Sequence, residues 1–447
     1  MAKIYKKAEM WDKMQDIMEK WNDHMTHGYF ELDRNINSDN LKMACEYVAD
    51  CVPILKAKWY SGVFHARWIE TDTKANELPI FEFRETKNKL SAEGNLLLTR
   101  IVNKKNGPQF RVTLLRNGSK DAVLFVTNHQ IMDGADLKLF YKSIADVYSA
   151  LEKGLPAETV QIKNGERGIE QLYKNFTDAE KAKLKKMISY SKAQKKKIEV
   201  RFAKSKFTDR LPKLNKAILP AETFLKLKSN CKILGVTLND IILAQYLRTV
   251  YEFGDLPDDA RLGVPNMINM RKYLNGEESG GFSNLTSMVV PALAKLGAEL
   301  PETAVRCRFA MDRLKKDYPG FHGWSLLQDV YHYAPHSLAK FLIGTFFKNP
   351  LVGISNIGII GDKEVEFGNA EIIDAYMTGS IKHPPYIQLA LTTFKNKITF
   401  TMAEFGTMQD YILIDWILDS IVDGLTAFAN AHITEELAKA AYENAIR

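Results

Sequence analysis

The chain has 447 residues, 46% hydrophobic and 26% charged, with a net charge of +7. That is an ordinary globular composition, which excludes a disordered, fibrous or low-complexity chain. The length exceeds the roughly 250–300 residues over which one hydrophobic core keeps growing, so two lobes are expected.

No run of roughly 18 uncharged apolar residues occurs, and the N-terminus mixes acids among its apolar residues, so the sequence predicts neither a transmembrane segment nor a signal peptide. Cys45, Cys51, Cys231 and Cys307 form no CxxC pair, which argues against a zinc site or a disulfide framework and for a reducing cytoplasm. The N-x-[ST] sequons at Asn117, Asn175 and Asn284 carry no meaning without a secretory route.

In chain order, residues 5–25 place Met10, Trp11, Met14, Ile17, Met18 and Trp21 at the 3.6-residue period of a helix with one buried face. The plain reading is a packing helix. A methionine and tryptophan stripe could instead line a lipid-like substrate channel, since thioethers adapt to irregular shapes. Further on, FRVTLLR and DAVLFVT flank Asn117-Gly118-Ser119-Lys120, a hairpin signal whose glycine tolerates positive φ. TNHQIMDG (127–134) follows directly, and then a helix over about 135–151 with Leu137, Phe140, Ile144, Val147 and Leu151 on one face.

Near the other end PYIQLALTTF and ITFTMAEF, joined by Lys395-Asn396-Lys397, lead into EFGTMQD and a helix over about 410–430. The order hairpin, loop, helix is repeated, but this loop carries no histidine. The echo predicts an α/β fold of two similar lobes, each a mixed sheet backed by helices. We place the N-terminal lobe at 1–175, a basic helical connector at 176–210 that opens with the capping pair Thr177 and Glu180, and the C-terminal lobe at 211–447.

Residues 181–206 hold eleven Lys and Arg against the single Glu199, a net +10 that leaves the rest of the chain at −3. The bland reading is a solvated helix between two lobes. The sharper one is recruitment of a phosphorylated cofactor or an acidic carrier protein by long-range attraction, with Lys195, Lys196 and Lys197 taking part. With only Tyr190 and Phe202 interleaved, the run lacks the stacking residues of a nucleic-acid surface.

An imidazole, with an ordinary pKa of ~6.5, is the side chain best matched to taking and returning a proton at neutral pH. His129 stands at a strand end, where it can face a cleft while the strand fixes its backbone. Gly134 marks a turn, with helical spacing beginning after it. Asp133 then reads as a structural group that ties the loop down through a buried ion pair; the bland alternative is a capping aspartate beside an incidental histidine.

HQIMDG resembles the H-x-x-x-D-G signature of the acyltransferase superfamily that includes chloramphenicol acetyltransferase, alcohol acetyltransferases, wax ester synthases and peptide-synthetase condensation domains. Other landmarks follow in the right order. YFELDRNINSDNLKMACEYVADCVPIL (29–55) is similar to the family's opening strand and helix, and VTLNDIILAQYL (236–247) to its second-lobe helix. LGVPNMINMR (262–271) resembles the strand that ends in an arginine, and VGISNIGII (352–360) the S-N-x-G strand of alcohol acetyltransferase relatives.

The resemblance implies two chloramphenicol acetyltransferase-like lobes with a tunnel between them and His129 midway along it. There the imidazole would accept the proton of an alcohol or amine as that group attacks an acyl thioester, and no acyl-enzyme would form. Asp133 would pair with Arg271, while Ser355 and Asn356 would lie near the reacting centre. The acyl donor would be a coenzyme A ester or an acyl group on a separate, acidic carrier protein, with no bound cofactor or metal. The acceptor would be small or lipid-like and the protein a monomer.

Two departures from the family pattern matter. Asn128 stands where condensation domains and wax ester synthases carry a first histidine, and the plant-type D-F-G-W-G motif is absent. Among rival sites, His332 and His336 flank Pro335, which breaks the helix that a paired metal site would need. GISNIG has Ile357 in place of the second glycine of a nucleophile elbow, which argues against a serine hydrolase. The rival from another class is a catalytically inactive protein of the same fold, its tunnel serving as a ligand pocket.

Overall fold

The computed structural model describes residues 5–187, 209–276, 279–347, 349–361 and 365–446. Its first elements are β1 (Tyr5–Lys7), α1 (Met10–Met18), β2 (Met25–Leu32), α2 (Ser38–Cys51), β3 (Lys58–Ser61), β4 (Ala66–Ile69), β5 (Phe81–Glu85) and α3 (Leu90–Leu98). There follow β6 (Phe110–Asn117), β7 (Lys120–Asn128), α4 (Gly134–Glu152) and α5 (Asp178–Lys186). The next group is β8 (Leu211–Leu219), α6 (Ala221–Leu234), α7 (Leu238–Phe253), β9 (Asn266–Asn269), β10 (Thr286–Val289), α8 (Leu300–Leu314), α9 (Trp324–Tyr333) and α10 (His336–Phe346). The remaining elements are β11 (Val352–Ile359), β12 (Ile372–Thr378), β13 (Ile387–Phe394), β14 (Lys397–Gly406), α11 (Met408–Asn430) and α12 (Glu435–Ile446).

The run that precedes the histidine is apolar without alternation, and such a strand needs cover on both faces. β7 has it. In the sheet ordered β12-β2-β7-β6-β5, Phe125 and Val123 face a core shared with α2 and α4, while Leu124 and Val126 face a second core built with α3. The β6–β7 hairpin turns at Gly118, which takes φ +56°, a conformation open to glycine without steric cost.

The other large sheet is ordered β10-β9-β11-β13-β14-β8, and α6, α7, α8, α11 and α12 contribute to the core on one of its faces. Its β13–β14 hairpin turns through Lys395 and Asn396, both at positive φ, and Lys397 already pairs with Phe394. Two helix-backed mixed sheets are therefore present, as the repeated order of elements predicts. A three-stranded sheet, β1-β4-β3, lies beside them.

The lobes are stitched together at two places. β12 crosses from the later part of the chain to pair with β2, where Tyr376 stands opposite Tyr29 and the rings stack at 5.0 Å. Lys382 then makes isolated bridges to Asn22 on one side and to Glu404 on the other, so the backbone joins the start of β2 to the end of β14.

The helix predicted over residues 5–25 is shorter than expected. Tyr5–Lys7 is recruited as a strand by β4, and a capping box between Glu9 and Asp12 starts the helix at Met10. The chain leaves helical geometry before His24, which adopts φ +63°. Among the described residues no helix is long and apolar enough to cross a membrane.

Candidate active site

β7 delivers His129 to the junction between the lobes, and the loop that follows is held from several sides. The His129 amide donates to the carbonyl of His24 at 2.8 Å, which ties the loop to the start of β2. Asn128, fully buried, braces it from below: its Nδ2 donates to Gln109 Oε1 at 2.7 Å and its Oδ1 accepts from the Gln130 amide at 2.9 Å. Both ends of the Asn128 amide are thus engaged within the scaffold.

His129 Nδ1 lies 3.0 Å from the carbonyl oxygen of Met132. A carbonyl can only accept, so Nδ1 carries the proton and the neutral ring presents a lone pair on Nε2. The residue is partly accessible. Burial is the largest influence on its pKa and holds it below the ordinary histidine value, with the Asp133 carboxylate opposing. At neutral pH the unprotonated ring therefore predominates.

Asp133 performs two tasks with its two oxygens. Oδ1 caps α4, accepting from the amides of Ala135 and Asp136 at 3.1 and 3.2 Å. Oδ2 accepts from Arg271 Nη1 at 2.9 Å and from the Leu285 amide at 2.7 Å. The choice between a cap and an ion pair does not arise, because the carboxylate is both.

The helix begins at Gly134, one residue earlier than the turn predicted there, and no positive φ is involved. What glycine provides is clearance, since a methyl group at this position would stand 3.3 Å from Ile357 Cγ2 on β11.

Arg271 has a second partner that the sequence reading missed: its Nη2 lies 2.8 Å from Asp136 Oδ2. Burial works against the guanidinium charge, but Asp133 and Asp136 outweigh it and leave Arg271 above its ordinary pKa. Burial first, and then the Asp133 carboxylate, push Asp136 up against the pull of Arg271. The segment before β10 completes the clamp. The Ser283 amide donates to Asp136 at 2.7 Å, the Asp133 amide to the Ser283 carbonyl at 3.1 Å, and Asn284 Nδ2 to the carbonyls of His129 and Gln130 at 2.9 and 3.1 Å.

Asn284 had signalled only a sequon; it is 4% exposed and bound to the histidine's own backbone. The available signals were the D-x-x-D spacing of Asp133 and Asp136 and the polar Ser283-Asn284 pair between apolar residues.

Ser355 is half-buried and Asn356 exposed on β11, where the register shifts between Asn356 and Gly358. Asn356 Oδ1 accepts from the Gly358 amide at 3.0 Å, and neither residue is hydrogen-bonded to His129. Lys195, Lys196 and Lys197 lie outside the described residues. Among the described residues no group of three or more His, Cys, Asp or Glu side chains is arranged to hold a metal ion.

A second polar group lies near the loop. Glu404 and His24 are almost wholly buried, and neither the Glu404 oxygens nor the His24 ring nitrogens have a hydrogen-bond partner. Burial, the largest influence on each, raises Glu404 well above the ordinary carboxylate value and lowers His24 well below the histidine value. Lys382, whose backbone bridges Asn22 and Glu404, has its amine brought down to about 8 by burial.

The family description Condensation domain matches residues 10–254, more than half of the sequence, and the chain belongs to that family. Solved structures similar to it share the fold at low identity. The first condensation domain of the calcium-dependent antibiotic synthetase, in complex with a substrate analogue, has a TM-score of 0.68 at 12% identity, covering 97% of this chain and 98% of that one. The epimerization domain from the third module of tyrocidine synthetase B gives 0.66 at 13%, covering 99% of each chain. The trichothecene 15-O-acetyltransferase of Fusarium sporotrichioides gives 0.66 at 13%, covering 95% of each. No curated protein sequence matches the chain significantly.

Proposed function

We propose that the chain is an acyltransferase that moves an acyl group from a thioester to an alcohol or amine, with His129 as general base. The observation that carries this reading is the contact of 3.0 Å between His129 Nδ1 and the Met132 carbonyl, which leaves Nε2 free to accept a proton. In the reaction, Nε2 takes the acceptor's proton as its oxygen or nitrogen attacks the thioester carbonyl. The tetrahedral intermediate then collapses, the carbon–sulfur bond breaks, and the leaving thiolate takes the proton back from Nε2. The imidazole is regenerated without an acyl-enzyme.

In this scheme Asp133, Gly134 and Arg271 are positioning residues that hold the loop in register with the second lobe. Ser355 and Asn356 are assigned to the acceptor or the oxyanion; with Asn356 Oδ1 engaged by Gly358, its amide NH₂ is the group left to donate. The donor is an acyl-coenzyme A or an acyl group on a carrier protein, recruited in part by Lys195, Lys196 and Lys197. The trichothecene enzyme and the antibiotic synthetase domain of the same fold lend the reading support, the first being named as an O-acetyltransferase.

The test is release of free thiol from acetyl-coenzyme A in the presence of a panel of alcohols and amines, with products identified by mass spectrometry. Thiol release that depends on an acceptor supports the reading; product-free binding of the whole panel overturns it.

A further inference from the structure

Where β1, the β3–β4 hairpin and the α9–α10 junction meet α1, a cavity of about 300 Å³ opens. Lys6, Lys7, Lys13 and Arg67 line it, and no carboxylate does. The pairing of β1 with β4 sets Lys7 directly opposite Arg67, a like-charge pair that is destabilising unless something negative lies between. Counter-charge is loose or missing. Lys6 is 3.6 Å from Glu70, and Lys7 is 3.6 Å from Glu9 and 3.8 Å from Glu170. Lys13 and Arg67 have no carboxylate partner among the described residues.

Those two cations rest against rings instead, Lys13 Nζ lying 5.0 Å from the ring centroid of Tyr331 and Arg67 5.3 Å from that of Tyr5. Partial burial, the largest influence, holds the Lys13 amine below its ordinary value. His336 also lines the cavity; it is 4% exposed, and its Nδ1 has no hydrogen-bond partner. Lys6 and Lys7 reach solvent, but Lys13, Arg67 and His336 are at least partly withdrawn from it, and a bound anion would offset the cost of holding them there.

The lining narrows the class of that anion. A guanidinium fork beside an ammonium suits phosphoryl oxygens, the first by bidentate contact and the second as a point charge. The volume falls at the lower end of the range for small-molecule sites, too large for a bare ion, and Phe64 adds an apolar wall that is 69% exposed as the structure stands. We propose that this cavity binds an organic phosphate, with its phosphoryl group held by Lys13 and Arg67 and its ring or chain laid against Tyr331 and Phe64.

This site is independent of the role given to His129. The phosphoryl chemistry is shared by free nucleotides and by the nucleotide end of a thioester donor. Isothermal titration of the full chain at low ionic strength with adenosine diphosphate and, separately, with coenzyme A distinguishes them. One-to-one binding is expected for at least one probe, weakened roughly tenfold by Lys13→Gln with Arg67→Gln and largely kept by Lys13→Arg, with the urea midpoint retained. If the double variant fails to fold, Lys13→Gln alone is expected to show a smaller loss in the same direction.

Equal losses for both probes assign the site to nucleotides generally, and binding of coenzyme A alone assigns it to the donor. His129→Ala should bind both probes as wild type does, whether or not His129 is the base. Failure of both probes to bind, or unchanged affinity in the folded Lys13 and Arg67 variants, overturns the proposal.

Discussion

Arg271, from the second lobe, donates to Asp133 of the HQIMDG loop at 2.9 Å, and Asp133 in turn caps the helix that follows the histidine. Lobe closure, helix initiation and the placement of His129 therefore share one carboxylate. Arg271 also holds Asp136, which makes the ion-pair group a triad. Removing one partner from a buried pair costs about 3–5 kcal/mol. Asp133→Asn should fall at the lower end of that range, because Asp136 still balances the guanidinium. Arg271→Ala leaves two neighbouring carboxylates without a cation and should cost more. Urea denaturation of both variants gives the order; Asp133→Asn as the more destabilised would count against the triad.

Asn284 faces two carbonyls with its NH₂ group. Asn284→Ala removes two donors and should cost about 1–3 kcal/mol. Asn284→Asp places carboxylate oxygens against carbonyl oxygens and should be worse in both stability and turnover, although it is the smaller change in shape. Melting temperatures of the two variants measured together decide this, and a milder aspartate variant would contradict the contact.

Much of this was legible beforehand. The β6–β7 hairpin, α4 and the histidine at their junction follow from an apolar run, a glycine turn and a helical period, all written within about forty consecutive residues. Arg271 was legible only through resemblance, because its partner lies 138 residues away. Asp136, Ser283 and Asn284 were not read. Their significance depends on two segments meeting in space, and each looks locally like an ordinary polar residue at a helix start or in a loop. The overlong first helix was misread because apolar periodicity does not report the capping box at Glu9 or a strand partner sixty residues on.

Burial lowers the pKa of both His24 and His27. His27 is fully buried and brought down to about 4, so its folded pKa lies below the unfolded value of ~6.5. A depressed pKa contributes stability that is full above the unfolded value and is lost as pH falls toward the folded one. Between pH 7.5 and 5, wild type should therefore lose about 2 kcal/mol relative to His27→Asn. Comparing the two proteins cancels the opposing effect of Asp23, which burial pushes up to about 7. Parallel stability profiles would show that His27 does not carry the effect.

The basic run remains a matter for kinetics. Replacing Lys195, Lys196 and Lys197 with glutamine should raise the Michaelis constant for the acyl donor at low ionic strength and flatten its salt dependence, since exposed charges are screened beyond ~8 Å at physiological salt. The constant for a neutral acceptor should not change. An unaltered donor constant at low salt would return the run to a solvated connector.

His129 bears the central claim, and its removal tests it most directly. Acceptor-dependent thiol release by His129→Ala should fall by about 10²–10⁴ from wild type, while the fold is kept and stability drops only by about the 0.5–1.5 kcal/mol of the lost Nδ1 hydrogen bond to Met132. The acid limb of the wild-type profile should have its midpoint below the ordinary histidine value of ~6.5, since burial depresses the imidazole pKa and the neutral form is the active one. A folded His129→Ala variant that turns over at the wild-type rate would contradict the assignment of the base.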